Sequence, residues 1–196
     1  MLETGTYLIS YLLGAFPTGL LIAKIHKVDL LSQGSGNVGA TNVARVIGKK
    51  YGIITLVADI LKGLMTVVIA SIFLKNSYSV GFCAFLAVAG HCFSIPYVLR
   101  GGKGVATAFG TFLGIYPLAA LFALFSFAAV FLISKIVSLA SVLAALSVPI
   151  FSYFIIGASP INFFLMLISL LVVFRHKDNI KRLLNGTEKK FSFKKS

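Results

Sequence analysis

The chain has 196 residues, 58% of them hydrophobic and only 12% charged, with a mean hydropathy of +0.98. Soluble domains carry about 25% charged residues, so this mixture cannot cover a soluble surface, and it is far too apolar for disorder. Lys and Arg number 18 against five Asp and Glu, a net charge of +13; because these cations lie between apolar runs, they indicate a membrane surface and not a nucleic-acid partner.

About 20 helical residues, rising 1.5 Å each, cross a hydrocarbon core of about 30 Å. Apolar runs predict helices over 4–23, 52–74, 77–98, 105–115, 117–134, 136–156 and 160–174. The first follows Met1-Leu2-Glu3, which lacks the positive charge of a secretory leader, so it reads as a retained span.

Between the first two runs lies Gln33-Gly34-Ser35-Gly36-Asn37-Val38-Gly39-Ala40-Thr41-Asn42-Val43-Ala44-Arg45. Gly34 and Gly36 permit a backbone whose N–H groups converge on an anion, and Ser35 adds a hydroxyl. With helix from Asn37 onward, Asn37, Thr41 and Arg45 recur every four residues and share one polar face. A plain connector and surface helix is the simpler alternative, but such a helix seldom gathers Ser, Asn, Thr and Arg while sparing Lys and Glu.

The second run contains Asp59 and Lys62, roughly 10–15 Å deep by helical rise, where charges pair or serve a function. A mutually neutralising pair is expected. His91, in the third run, is expected to hydrogen-bond between helices. Cys83 and Cys92 lie too far apart along that run for a disulfide and read as inert thiols. Three dispersed histidines and few acids make no metal constellation, and neither metal nor cofactor is expected.

Next comes Arg100-Gly101-Gly102-Lys103-Gly104-Val105-Ala106-Thr107. Glycines around a lysine, immediately before a helix, offer free N–H groups, a helix dipole and a point charge to a phosphate. The spacing is not that of a nucleotide-binding P-loop, and a flexible basic turn is the alternative. Gly104 to Ser134 is too long for one span and short for two, but Tyr116-Pro117 supplies a break because proline cannot continue the helical ladder. The 105–115 helix is then too short to span unaided.

The last cluster is Arg175-His176-Lys177-Asp178-Asn179-Ile180, in which His176 and Asn179 share a helix face. A lone interfacial histidine is more often a polar anchor. A short basic helix over 179–184 follows, stopped by Asn185-Gly186, and the tail lysines are expected to hold anionic lipid.

Charge bias favours seven crossings with the N-terminus outside and the C-terminus cytoplasmic. In that arrangement only Lys75 lies outside and Lys62 within a helix, while every other Lys and Arg is cytoplasmic. The three polar clusters then fall on one side. An enzyme for phosphorylated substrates, a transporter of phosphorylated solutes and a lipid-binding membrane module all fit such a face. A transporter ordinarily shows paired repeats, which this sequence lacks.

Taken in order, Gly14-Ala15-Phe16-Pro17-Thr18-Gly19, Gly34 to Arg45, Asp59-Ile60-Leu61-Lys62-Gly63, Gly90-His91, Gly101 to Thr107 and Arg175 to Ile180 resemble the bacterial acyl-phosphate:glycerol-3-phosphate acyltransferases along nearly the whole chain. The resemblance implies one all-α, seven-helix acyltransferase domain over 1–196, in the bacterial inner membrane with its active site facing the cytoplasm. It implies transfer of an acyl group from acyl phosphate to the 1-hydroxyl of sn-glycerol 3-phosphate, giving lysophosphatidic acid and phosphate, the first step of phospholipid synthesis. The H-x-x-x-x-D box of thioester-using acyltransferases is absent, since Leu31, Pro96 and Lys181 stand five residues after His26, His91 and His176. By position, the family's motifs assign Ser35, Arg45, Lys103, His176 and Asn179 to catalysis. They assign Gly36, Asn37, Thr41, Asn42, Gly101, Gly102, Gly104 and Thr107 to substrate phosphate. Leu31 and Asp178 depart from the arginine and glutamate usual in the family.

Overall fold

A computed structural model describes residues 1–94 and 101–191. Arg100, Lys194 and Lys195, and the end of the run expected to reach residue 98, lie outside the described residues. The described residues form helices and connecting turns, with no strand among them.

Helix α1 (Leu2–Ala15) and α2 (Thr18–Ile25) occupy the first apolar run. The uninterrupted helix expected over 4–23 is therefore corrected: Phe16 is extended at ψ 121°, and Pro17 has no N–H to carry the ladder across. Helix α3 (Ala40–Val46) follows the first glycine loop, and α4 (Lys49–Phe73) is the longest at 25 residues. Next are α5 (Ser77–Cys92), α6 (Val105–Ile115), α7 (Pro117–Ser134), α8 (Val137–Ile156), α9 (Pro160–Arg175) and α10 (Lys177–Leu184). The break between α6 and α7 falls at Tyr116, as Pro117 predicts. Between α9 and α10 the chain bends by 61° at His176.

Four of the described helical stretches are long and apolar enough to cross a membrane: Leu2–Ile25, Lys49–Phe73, Pro117–Ser134 and Val137–Ile156. The bent α9–α10 pair makes a fifth if it counts as one span, while α5 and α6 are shorter apolar helices.

Side chains are distributed inside out relative to a soluble protein. Leu8, Leu61, Leu121, Phe125 and Phe154 face outward, whereas Ala84, Ala87, Ala119, Ala120 and Ala140 are fully buried between helices. Lipid is as apolar as leucine, so helix association here depends on close van der Waals approach of small residues. In α4 and α6, Gly63 lies against the Thr107 carbonyl and Gly110 against that of Ile60, at distances that leave no space for a Cβ. This contact sets α6 firmly beside α4 and forms one wall of the chamber described next.

Candidate active site

One chamber of about 480 Å³ opens among α3, α4, α6, α7, α8 and the α9–α10 corner. Much of its wall is hydrocarbon, with Ile53, Leu56, Ile60, Phe109, Phe112 and Phe127 among the lining residues. Ser35, Asn37, Thr41, Asn42, Arg45, Lys103, Gly104, His176 and Asn179, drawn from all three sequence clusters, line the same space. Lys49 and Lys189 add positive charge, and Glu188 adds the one tail carboxylate. Such a chamber accepts an anionic head and an apolar chain together.

The first cluster is not helical from Asn37 as expected; α3 starts at Ala40. Asn37 instead closes a turn, its Oδ1 accepting the Gly39 N–H at 2.8 Å. Asparagine competes for backbone groups in this way, which favours turns over helix at that position. The conformation of the loop is set mainly by buried Asn42. Its Oδ1 accepts the Ser35 N–H at 2.8 Å, and its Nδ2 donates to the carbonyls of Gln33 (3.1 Å) and Leu30 (3.3 Å). Gly34 adopts φ +65°, with Asn42 Oδ1 where a Cβ would stand, so the turn requires glycine on both counts.

In the second cluster Gly104 is left-handed at φ +80° and caps α6, bringing Lys103 to the chamber. Lys103 is half-buried, and that burial pushes its ammonium down to about 8, against the opposing pull of Glu188. The Gly102 N–H donates to the His91 carbonyl at 3.0 Å and is therefore not among the donors left for an anion. Gly102 faces the His91 ring, and Gly101 borders a separate, water-sized space of about 20 Å³. Gly36 and Thr107 also lie off the chamber. Gly36 is exposed, and the fully buried Thr107 hydroxyl has no hydrogen-bond partner.

At the third corner His176 is buried, and its Nδ1 lies 2.7 Å from the Val172 carbonyl. A carbonyl only accepts, so Nδ1 carries the proton and the neutral ring keeps a lone pair on Nε2. Asn179, one turn further on, donates through Nδ2 to Glu188 at 2.6 Å. Glu188 is the site residue that the sequence reading lacks. Its Oε1 also accepts from Ser138 at 2.7 Å, and its Oε2 from Arg182 Nε at 2.6 Å. Burial alone would raise the Glu188 carboxyl, but the donors from Ser138, Asn179 and Arg182 outweigh it and hold the group below the usual carboxylate range. The tail is fixed there by the Phe191 N–H, which donates to the Lys135 carbonyl at 2.7 Å.

Lys62 Nζ pairs with Asp59 at 2.8 Å and donates to the Phe16 carbonyl at 3.0 Å. The expected pair is present, and it also supplies a donor at the end of α1. Asp59 lies 3.7 Å from His91 Nδ1. Cys83 and Cys92 are free and buried.

A chamber lined by both cations and hydrocarbon, in a chain with helices long and apolar enough to cross a membrane, fits a membrane protein that handles anionic amphiphiles. Comparison with known proteins makes the class specific. The family model for glycerol-3-phosphate acyltransferase matches residues 4–186. The enzyme of that name from Endomicrobium trichonymphae is 45% identical, covering 96% of both chains. That of Aquifex aeolicus is 41% identical over 94% of this chain and 96% of its own. The crystal structure of PlsY, an integral membrane glycerol 3-phosphate acyltransferase, in its glycerol 3-phosphate form superimposes with a TM-score of 0.93. It is 39% identical, and the match covers 97% of this chain and 96% of that one. The chain belongs to the glycerol-3-phosphate acyltransferase family.

Proposed function

We propose that this protein transfers a fatty acyl group from acyl phosphate to the 1-hydroxyl of sn-glycerol 3-phosphate, giving lysophosphatidic acid and inorganic phosphate. The observation that carries the reading is the chamber itself, which brings Ser35, Arg45, Lys103, His176 and Asn179 to one space that is also walled by hydrocarbon side chains. Family membership and the PlsY likeness, in a glycerol 3-phosphate form and in a lysophosphatidic acid form with TM-score 0.90, support glycerol 3-phosphate as acceptor and lysophosphatidic acid as product, while acyl phosphate as donor rests on the motif resemblance.

Acyl phosphate is a mixed anhydride with a good leaving group, so positioning and charge stabilisation suffice. The glycerol hydroxyl attacks the acyl carbonyl directly, an ester C–O bond forms, and the bond to the phosphate oxygen breaks. Ser35, Arg45, Lys103 and the remaining N–H groups of both loops hold the phosphates, bordered by Asn37, Thr41 and Asn42. Asn179, its side chain turned by Glu188, orients glycerol 3-phosphate. The hydroxyl proton passes to His176 Nε2 or to a substrate phosphate that His176 hydrogen-bonds; phosphate leaves with the anhydride electron pair. Neither metal nor cofactor enters the scheme.

The reading places all of 1–196 in one seven-crossing domain of the bacterial inner membrane, N-terminus outside and active site facing the cytoplasm. Its test is to incubate the purified protein with palmitoyl phosphate and glycerol 3-phosphate. Equimolar lysophosphatidic acid and phosphate are expected; no product, or an acyl ester trapped on Ser35, overturns the reading or its direct step.

A further inference from the structure

Three of the four residues in Gly101-Gly102-Lys103-Gly104 have no side chain, so this segment cannot hold its own shape as Asn42 holds the first loop. Its restraint comes from α9. Arg175, the last residue of that helix, donates from Nε to the Gly102 carbonyl and from Nη2 to the Gly101 carbonyl, both at 3.1 Å. The guanidinium lies over the Phe93 ring at 5.0 Å, which adds a cation–π attraction. Arg175 does not line the chamber, whereas Lys103 does.

We propose that Arg175 is a positioning residue that aims the glycine loop at substrate phosphate. Two N–H groups in a rigid planar fork fix two consecutive peptide planes, which a single ammonium cannot do. In a trans peptide the N–H points opposite its carbonyl. Drawing back the Gly102 carbonyl therefore turns the Lys103 N–H away from Arg175, and drawing back that of Gly101 directs the Gly102 N–H to His91. The same fork occupies two carbonyl oxygens that would otherwise repel an incoming phosphate. Because His176 follows Arg175 directly and Asn179 lies one turn on, the clamp also registers the loop against the corner that holds the other reactive groups.

The inference rests on the proposed acyl transfer, and its test keeps the two apart. Full-length wild type, Arg175→Lys and Arg175→Ala are assayed with palmitoyl phosphate and glycerol 3-phosphate, with thermal unfolding of each followed in the same detergent. Product from wild type is the control; its absence refutes the functional reading and leaves the clamp to be judged by hydrogen exchange at Gly102 and Lys103, which must quicken in Arg175→Lys. With wild type active, Arg175→Lys is expected to lose at least tenfold in kcat/KM for one of the two substrates, with Tm within a few degrees of wild type. Millimolar methylguanidinium is expected to restore activity to Arg175→Ala but not to Lys103→Ala. Arg175→Lys within twofold of wild type, or an Arg175→Ala loss that follows Tm and ignores methylguanidinium, overturns the clamp. Should Arg175→Ala not fold, the Arg175→Lys result decides alone.

Discussion

The two glycine loops present similar chemistry to the chamber and are built differently. The loop over 33–39 is held by Asn42, a few residues along the same segment, through hydrogen bonds to the backbone of Gln33 and Ser35 and to that of nearby Leu30. The loop over 101–104 is held by groups remote in sequence, the His91 carbonyl and the Arg175 guanidinium. A locally clamped loop keeps its shape whatever the surrounding helices do. A remotely clamped one keeps its shape only while α5, α6 and α9 stay in register.

The largest effect is expected at His176, which lines the chamber together with residues of both loops. If His176 takes the proton, His176→Ala lowers kcat by about 100-fold or more; retention of over a tenth of the turnover assigns that step to a substrate phosphate. Next is Asn42→Ala, which removes three hydrogen bonds worth about 1 kcal/mol each in stability; Tm is expected to fall and kcat/KM to drop as the first loop loses its shape. If its amide serves only the backbone, KM for both substrates rises together. Lys103→Ala and Arg45→Ala each delete a charged hydrogen bond worth about 1.5–3 kcal/mol, raising KM for glycerol 3-phosphate about tenfold or more. The exposed Lys181, off the chamber, should change it less than twofold on Lys181→Ala. Equal sensitivity at all three would indicate general surface electrostatics instead of a site. Titration isolates the Lys103 charge without a substitution. With its ammonium near 8, Lys103 loses its proton as pH rises, so kcat/KM falls on the alkaline side of about 8 in wild type. Lys103→Arg should lack that limb, because a guanidinium stays charged.

The same contrast explains what could be read from the sequence. Apolar runs and Pro117 located α6, α7, α8 and α9 to within a residue or two, because hydropathy and proline act locally. Pro17 carried an equally local signal at the α1–α2 break, masked by the uniform apolarity around it. Ser35, Arg45, Lys103, His176 and Asn179 were legible as clusters of polar residues where lipid-facing helices have none. The partition within each cluster was not. Nothing in the spacing turns Asn42 inward to its own loop, and nothing gives the Gly102 N–H to His91. Glu188 is one of five acids in the chain, a usable hint, but its partners Ser138 and Asn179 stand 50 and nine residues away. Long-range partners of that kind follow from helix packing, which hydropathy does not encode.

The brevity of α6 has an effect on where water ends. Its 11 residues rise about 16 Å, roughly half of a hydrocarbon core. Because Thr107 meets Gly63 and Gly110 meets Ile60, the glycine loop at its head stands beside the middle of α4 and not beside the start of that helix at Lys49. Under the proposed acyl transfer, that depth lets a sugar phosphate reach an acyl donor whose chain stays among apolar side chains.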